Sequence, residues 1–215
     1  MSGLVPARRL VLASNNAGKL SELRLLLGGL ALELVAQGEL GIAEAEEPHV
    51  TFIENALAKA RHAAAAADGA AMADDSGVCV DALGGAPGVI SAHYAGQTRA
   101  AGDREARRRA QDTANNGLLL QRLHGQSDRR AHFVSTLVAL RHAADPQPLV
   151  AVGRWPGRIL ESPQGEGGFG YDPLMWIPEL QATVAELDAE TKNRHSHRAH
   201  AMRQMRALLQ EVWQL

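Results

Sequence analysis

The segment LVLASNNAGKLSELRLLL (residues 10–27) constrains the fold most, because the spacing of its apolar residues changes partway along. Leu10–Ala13 is a short apolar run typical of a buried strand, whereas Leu20, Leu23 and Leu27 recur at helical spacing. Six small or polar residues, SNNAGK, join the two parts. Free backbone N–H groups at a helix start, with a lysine beside them, favour an anion such as phosphate. Taken alone, however, these residues fit an ordinary helix N-cap followed by a solvated lysine.

Length and charge narrow the class of protein. A chain of 215 residues suits one large domain or two small lobes. Its 22 basic and 24 acidic residues give a net charge of −2, which gives no support for a nucleic-acid or membrane-surface protein. Cys79 is the single cysteine, so no internal disulfide can form. The apolar stretch near the N-terminus is too short for a signal-peptide core, and we expect a cytoplasmic protein.

The order of helical and strand-like segments predicts an α/β protein. TFIENA, with Thr51 and Glu54, fits a capping box at the start of an alanine-rich helix. A second helix is expected over Asp103–Leu123, with a possible interruption at NNG, and Ser196 is expected to cap the last helix. Strands without regular βαβ alternation favour a mixed central sheet flanked by helices. We expect the middle strands to form a second lobe, with a cleft between the lobes.

The segment MADDSG carries the clearest chemical signal. Asp74 and Asp75 lie between an apolar stretch and a second strand, and we expect them at a strand end. Adjacent carboxylates repel each other unless a cation lies near them, and Mg²⁺ prefers oxygen ligands that it shares with substrate phosphates. One of them could also deprotonate an attacking water. A solvated polar turn is an equally good interpretation. The acidic segment AEAEEPH adds Glu44, Glu46 and Glu47, which offer a third metal ligand or simply form a solvated turn.

Two later segments have the composition of a ligand site. GEGGFGYDP places Phe169 among glycines, which let the backbone approach a flat ring that the aromatic can stack on. ETKNRHSHR gathers cations at an expected helix start, where the helix dipole disfavours them unless an anion binds. A flexible loop and a solvated charged linker are the alternatives for these two segments.

Together, four segments in this order resemble the inosine/xanthosine triphosphate pyrophosphatase family: SNNAGK, TFIENA, ADDSG…ALGGAPG, and GGFGYDP followed by K…SHR. The resemblance covers nearly the whole chain. It implies a single domain over residues 1–215, elongated, with two lobes and a deep substrate cleft, usually assembled as a homodimer. It also implies Mg²⁺-dependent hydrolysis of ITP, dITP and XTP to the monophosphate and pyrophosphate, which removes deaminated nucleotides from the pool.

The resemblance also implies roles for individual residues. Asp75 would be the proton acceptor and a metal ligand, with Glu46 the expected acidic partner and Glu47 the alternative. Many relatives have Thr-Gly-Asn where this chain has Ser14-Asn15-Asn16, so the hydroxyl and the second asparagine are retained. The triphosphate would be bound by Ser14, Asn15, Asn16, Ala17, Gly18 and Lys19. The rest of the substrate would be bound by Ser76, Phe169, Gly170, Tyr171, Asp172, Lys192, His197 and Arg198.

Two other functions are compatible with the same residues. One is a related pyrophosphatase that acts on other modified nucleotides. The other is a non-catalytic nucleotide sensor, which would keep the loop and the aromatic residues but would have no need of Asp75 with Mg²⁺. The carboxylates Asp74 and Asp75, with the glutamates before the capped helix, argue against the sensor.

Overall fold

A computed structural model describes residues 8–98 and 101–215 of the chain. Within these ranges the backbone forms seven strands and five α-helices, joined by loops and short 3-10 helices. The strands are β1 (Arg8–Leu12), β2 (Leu32–Ala36), β3 (Ala70–Val80), β4 (Arg130–Leu140), β5 (Leu149–Ile159), β6 (Met175–Ile177) and β7 (Ala182–Thr183). The helices are α1 (Ala17–Leu27), α2 (Phe52–Ala67), α3 (Arg104–Arg122), α4 (Ala189–His195) and α5 (His197–Trp213).

The described strands form one mixed sheet in the order β2-β1-β3-β4-β5-β6-β7. Strand β1 pairs in parallel with both β2 and β3, with Leu10 opposite Leu34 on one side and Ala70 on the other. At the other edge, β6 pairs antiparallel with β5 and with β7. Parallel pairs need helical crossovers, which α1 and α2 supply, so the expected α/β mixed sheet is confirmed.

The chain divides into two compact units, which are described separately. The first contains the described part of Met1–Asp75 together with Ser135–Gly153 and Arg198–Leu215. In this unit, alternate residues of β1 belong to different apolar clusters. Leu10 and Leu12 pack with leucines of α1 and methionines of α5, whereas Val11 packs with the buried alanines of α2. This alternation is the ordinary consequence of the pleat of a strand.

The second unit contains Ser76–Val134 and Arg154–His197, apart from residues 99–100. Its core joins residues of β3, α3, β4, β5 and β6, among them Val78, Leu119 and Trp155. Tyr171 is part of this core, and its hydroxyl donates to the carbonyl of Ser91 over 2.8 Å. The predicted substrate cleft and the single domain of two lobes stay predictions.

Local sequence signals placed most helix starts correctly. Thr51 is the N-cap of α2 and its hydroxyl accepts from the Glu54 amide, as the capping box predicts. Helix α3 runs without the interruption suggested at NNG. In α5, Met202, Met205 and Leu209 are buried, but Val212 is exposed and Trp213 takes the buried place. Among the described residues, the helices are too short or too polar to cross a bilayer.

The segment DDSG departs from expectation, because it lies neither at the end of a strand nor in a turn. Strand β3 continues through it, so Asp74 and Asp75 lie within a strand and are both buried. Charged residues inside a strand require compensating cations, which local sequence does not reveal. The cations of ETKNRHSHR are also placed differently: Lys192 and Arg194 lie in the last turn of α4, where the helix dipole favours them.

Candidate active site

The loop Ser14–Lys19 connects β1 to α1 and is held by its own polar side chains. Asn16 is the N-cap of α1, and its side chain accepts from the Lys19 amide over 3.1 Å. The amide of Asn16 in turn donates to the Ser14 hydroxyl over 3.2 Å. The loop therefore provides the N-cap of α1, as its composition suggested. Its lysine is not merely solvated, since Lys19 Nζ lies 2.9 Å from Asp74 Oδ2.

Asp74 is buried, and polar side chains from several elements of the first unit contact its carboxylate. Its carboxylate is paired with Lys19, and it accepts a hydrogen bond from the Ser135 hydroxyl over 2.6 Å. Arg198 Nη2 lies 3.4 Å from the same carboxylate. Burial by itself would raise the pKa of Asp74, but Lys19 and Arg198 outweigh it and hold that pKa well below its usual range. Asp74 is therefore permanently ionised near neutral pH.

Arg198 is completely buried and engaged by two carboxylates. It donates to Glu22 of α1 through Nη1 and approaches Asp74 through Nη2. Burial lowers the pKa of Arg198, but Asp74 and Glu22 outweigh that effect. This geometry joins Arg198 to the residues around the Ser14–Lys19 loop. A contact between Arg198 and a base remains a prediction.

Asp75 has a different environment from its neighbour. Its Oδ1 accepts from Lys59 Nζ over 2.8 Å, whereas its Oδ2 is buried without a hydrogen-bond partner among the described residues. Burial raises the pKa of Asp75 above its usual value, although the Lys59 ammonium acts in the opposite direction. A buried carboxylate with one oxygen available and a raised pKa is suited to accept a proton or to bind a cation.

Lys59 connects Asp75 to the acidic segment. Its Nζ lies 2.8 Å from Asp75 Oδ1 and 2.9 Å from Glu47 Oε1. Burial lowers the pKa of Lys59, but the two carboxylates outweigh burial and keep the lysine charged. Both Glu46 and Glu47 are exposed, so it is the contact with Lys59 that distinguishes Glu47.

Three residues of this cluster were missed from the sequence: Glu22, Lys59 and Ser135. Lys59 did carry a signal. It lies on the same helical face as the buried alanines Ala56, Ala60 and Ala63, where an unpaired lysine would be costly. Glu22 and Ser135 carried no such signal, because their partners are distant in the chain.

The arrangement fits a magnesium ion that keeps part of its water shell. Among residues 8–98 and 101–215, no group of three or more His, Cys, Asp or Glu side chains is placed to enclose a metal. Mg²⁺ is typically held by one or two carboxylates together with substrate phosphates, so an enclosing cage is not required. The available oxygen of Asp75, with Glu47 nearby through Lys59, suits that mode.

In the second unit, Asp172 organises the glycine-rich loop. Its Oδ2 accepts from the Phe169 amide over 2.9 Å and from Lys192 Nζ over 2.8 Å. Lys192 Nζ also lies 4.6 Å from the centroid of the Phe169 ring, within cation–π range. Gly168 has a φ of +73°, and a Cβ there would lie 2.1 Å from Asp172 Oδ2, so only glycine fits. The loop is therefore ordered around a buried charge.

The remaining predicted residues of this unit lie in different settings. The His197 ring stacks on Phe133, with centroids 4.9 Å apart and planes inclined by 27°. Ser76 is half-buried on β3. The Tyr171 side chain belongs to the core, and its hydroxyl donates to the Ser91 carbonyl. The structure thus brings Phe169, Asp172 and Lys192 into one cluster and places Tyr171 beneath the surface.

The sheet topology defines an α/β protein, and its capped loop lies beside a buried carboxylate that pairs with Lys19. A model of the Ham1 family matches residues 10–208, so this chain belongs to the Ham1 family.

Curated relatives and a solved structure agree with this membership. The chain is 69% identical over 205 residues to a dITP/XTP pyrophosphatase of Methylibium petroleiphilum, covering 95% of this chain and 99% of the relative. It is 67% identical over 210 residues to a dITP/XTP pyrophosphatase of Leptothrix cholodnii, covering 96% and 99%. A HAM1 protein from Coxiella burnetii superposes with a TM-score of 0.85 at 40% identity, over 95% of this chain and 100% of that one.

Proposed function

We propose that this protein is a nucleoside-triphosphate pyrophosphatase that hydrolyses ITP, dITP and XTP to the monophosphate and pyrophosphate with the help of Mg²⁺. Two relatives that share 69% and 67% of its residues carry the name dITP/XTP pyrophosphatase. The observation that carries the proposal is Asp75, a buried carboxylate with a raised pKa and one oxygen without a partner among the described residues.

The Ser14–Lys19 loop is the proposed binding site for the triphosphate. The loop leads into the first turn of α1, where the helix dipole favours an anion. Lys19 adds a full positive charge, held in place by Asp74. The phosphate oxygens of a bound triphosphate would compete with the Asp74 carboxylate for the Lys19 ammonium. Asn15, Ala17 and Gly18 complete the loop.

Asp75 is the proposed proton acceptor for the attacking water. Lys59 holds one carboxylate oxygen, and the other has no partner among the described residues and would take the proton. Water would lose a proton to Asp75 and attack the α-phosphorus, and the bond to the β-phosphate oxygen would break so that pyrophosphate leaves. Bound Mg²⁺ would supply charge neutralisation of the phosphate oxygens, with Asp75 and either Glu46 or Glu47 as its protein ligands.

The Phe169–Asp172 loop is the proposed site for the base and sugar, with Ser76, Lys192, His197 and Arg198. Phe169 can stack on any purine, so it supplies affinity with little discrimination. Discrimination requires a donor near the six position, because inosine and xanthosine present an acceptor carbonyl there and adenosine an amino group. Lys192, held by Asp172, is a donor beside the Phe169 ring. Adenine would not accept this hydrogen bond, and a hydrogen bond from a charged donor is worth roughly 1.5–3 kcal/mol.

The test is a panel of nucleoside triphosphates with Mg²⁺: ITP, dITP, XTP, GTP, ATP and a set of modified pyrimidine nucleotides. The expected result is consumption of ITP, dITP and XTP with release of pyrophosphate, and kcat/KM for ATP lower by more than about tenfold. Reaction in ¹⁸O-labelled water should place the label in the monophosphate. A preference for pyrimidine nucleotides would support the rival pyrophosphatase. Binding without turnover in the parent would support the sensor.

The assembly and location of the protein are separate proposals. We propose a homodimer, as the family resemblance implies, located in the cytoplasm and acting without nucleic-acid or membrane partners. Light scattering of the purified chain checks the first point: a mass of one chain at micromolar concentration contradicts it.

A further inference from the structure

We propose that one face of α3 positions the loop Gly168–Asp172, here called the aromatic loop, and thereby sets the affinity of the enzyme for the base of its substrate. The face consists of Arg108, Asp112 and Asn116, which are spaced four residues apart and so lie on one side of the helix. This inference rests on the proposed function, because it assumes that the aromatic loop binds the base.

Both backbone polar groups of Gly170 are held by this face. The Gly170 amide donates to Asp112 Oδ2 over 2.9 Å, and Asn116 Nδ2 donates to the Gly170 carbonyl over 3.0 Å. Gly170 has a φ of +63°, a left-handed conformation that glycine adopts without strain but does not favour over others. Two hydrogen bonds from one helix therefore select a single conformation of a residue that could adopt several.

The same face also reaches the aromatic ring itself. The Arg108 guanidinium carbon lies 5.6 Å from the centroid of the Phe169 ring, within cation–π range. The neighbouring backbone of Phe169 is fixed by Asp172. Because Phe169 precedes Gly170, whose backbone α3 holds, and because Arg108 contacts the ring, α3 helps to position the aromatic side chain. A stacking surface that is already ordered binds a base at a lower entropic cost.

Two polar atoms of the face indicate more than a structural role. Arg108 Nε and Asn116 Oδ1 are buried and have no hydrogen-bond partner among the described residues. Buried polar atoms without partners are rare in proteins and often occur where a ligand or water completes the contacts. Their position beside the aromatic loop agrees with a face that supports ligand binding.

The test separates base binding from phosphate binding. We compare Asp112→Ala, Asn116→Ala and the conservative Asp112→Asn with Gln121→Ala, an exposed position of the same helix. Each is assayed for kcat and KM with ITP, for inhibition by inorganic tripolyphosphate, which has no base, and for thermal melting. Loss of one hydrogen bond is expected to raise KM for ITP by about 3- to 10-fold, with kcat changed less than about twofold.

Several results distinguish positioning from simple stabilisation. Tripolyphosphate inhibition should be unchanged in every variant, and Asp112→Asn should retain much of the affinity, because its amide oxygen can still accept from Gly170. A lower melting temperature with an unchanged KM overturns the inference, as does equal weakening of ITP and tripolyphosphate. If the parent does not hydrolyse ITP, the proposed function fails. Calorimetric affinities for ITP in parent and variants then decide the inference, and an absence of any ITP binding overturns it as well.

Discussion

Asp74 and Asp75 are consecutive residues of β3, yet each carboxylate pairs with a lysine from a different helix. Asp74 Oδ2 lies 2.9 Å from Lys19 of α1, and Asp75 Oδ1 lies 2.8 Å from Lys59 of α2. Because successive side chains of a strand point to opposite faces, the two carboxylates form their ion pairs with different lysines. This arrangement gives them different chemistry: Asp74 is fully neutralised by its surroundings, whereas Asp75 keeps an oxygen available.

Asp75→Asn should nearly abolish turnover while the fold is retained. The amide cannot take a proton from water, and removal of a general base typically costs ~10²–10⁴-fold. The measurement is kcat for ITP, with a circular dichroism spectrum to confirm the fold. Activity within about tenfold of the parent would remove Asp75 from the mechanism.

Asp74→Asn should instead destabilise the protein. The substitution leaves Lys19 and the buried Arg198 with one fewer counter-charge, and breaking a buried ion pair costs roughly 3–5 kcal/mol. Chemical denaturation of the two asparagine variants provides the comparison, since the amides are of equal size. We expect the free energy of unfolding to fall more for Asp74→Asn than for Asp75→Asn; the reverse order contradicts the assigned roles.

Lys19→Ala should weaken triphosphate binding more than it slows the chemical step. A lost charge-assisted contact is worth roughly 1.5–3 kcal/mol, or about 10- to 150-fold in affinity. KM for ITP and inhibition by tripolyphosphate should both change by this amount. Arg24→Ala is the matched control, because Arg24 is a cation on the same helix that pairs at the surface with Glu39. Equal effects of the two substitutions would mean that Lys19 is only a helix residue.

Substitutions of Glu46 and Glu47 should differ in their effect on the Mg²⁺ concentration that the enzyme needs. The resemblance favoured Glu46, but Lys59 connects Asp75 to Glu47. We therefore expect Glu47→Gln to raise the Mg²⁺ concentration needed for half-maximal activity at least several-fold, and Glu46→Gln to change it little. A titration of activity with Mg²⁺ at saturating ITP measures both. A larger shift for Glu46→Gln would restore the choice made from the sequence.

Asp145 lies far along the chain from Asp75, and it offers a test of how the free energy of unfolding depends on pH. Its buried carboxylate accepts from the Arg141 side chain and from the Arg141 and Gln147 amides. These contacts, of which the Arg141 side chain is the strongest, hold the pKa of Asp145 well below its usual range. A lowered carboxylate pKa stabilises the fold above the unfolded pKa, and this stabilisation is lost as the pH falls towards the folded pKa.

Asp145→Asn should therefore be less stable than the parent at pH 7, and the difference should shrink in acid below the ordinary aspartate pKa. Urea unfolding of both proteins from pH 7 to pH 3 measures it. A difference in unfolding free energy that is constant over this range would show that charge plays no part at this turn.

Much of this protein is determined by local sequence. Asn16 and Thr51 accept from amides in the first turns that follow them, so two helix starts could be predicted from adjacent residues. The apolar spacing of Leu20, Leu23 and Leu27 was enough to predict α1, and the order of the quoted motifs was enough to indicate the family.

Tertiary structure alone decided how the charged residues are used. DDSG has the composition of a turn, but it remains a strand because Lys19 and Lys59 neutralise its carboxylates from helices that pack on it. Arg198 likewise donates to Glu22, which lies 176 residues earlier in the chain. The physical reason is that turn and cap signals act between neighbours in sequence, whereas the cost of a buried charge is met by whichever opposite charge the packing brings within a few ångströms.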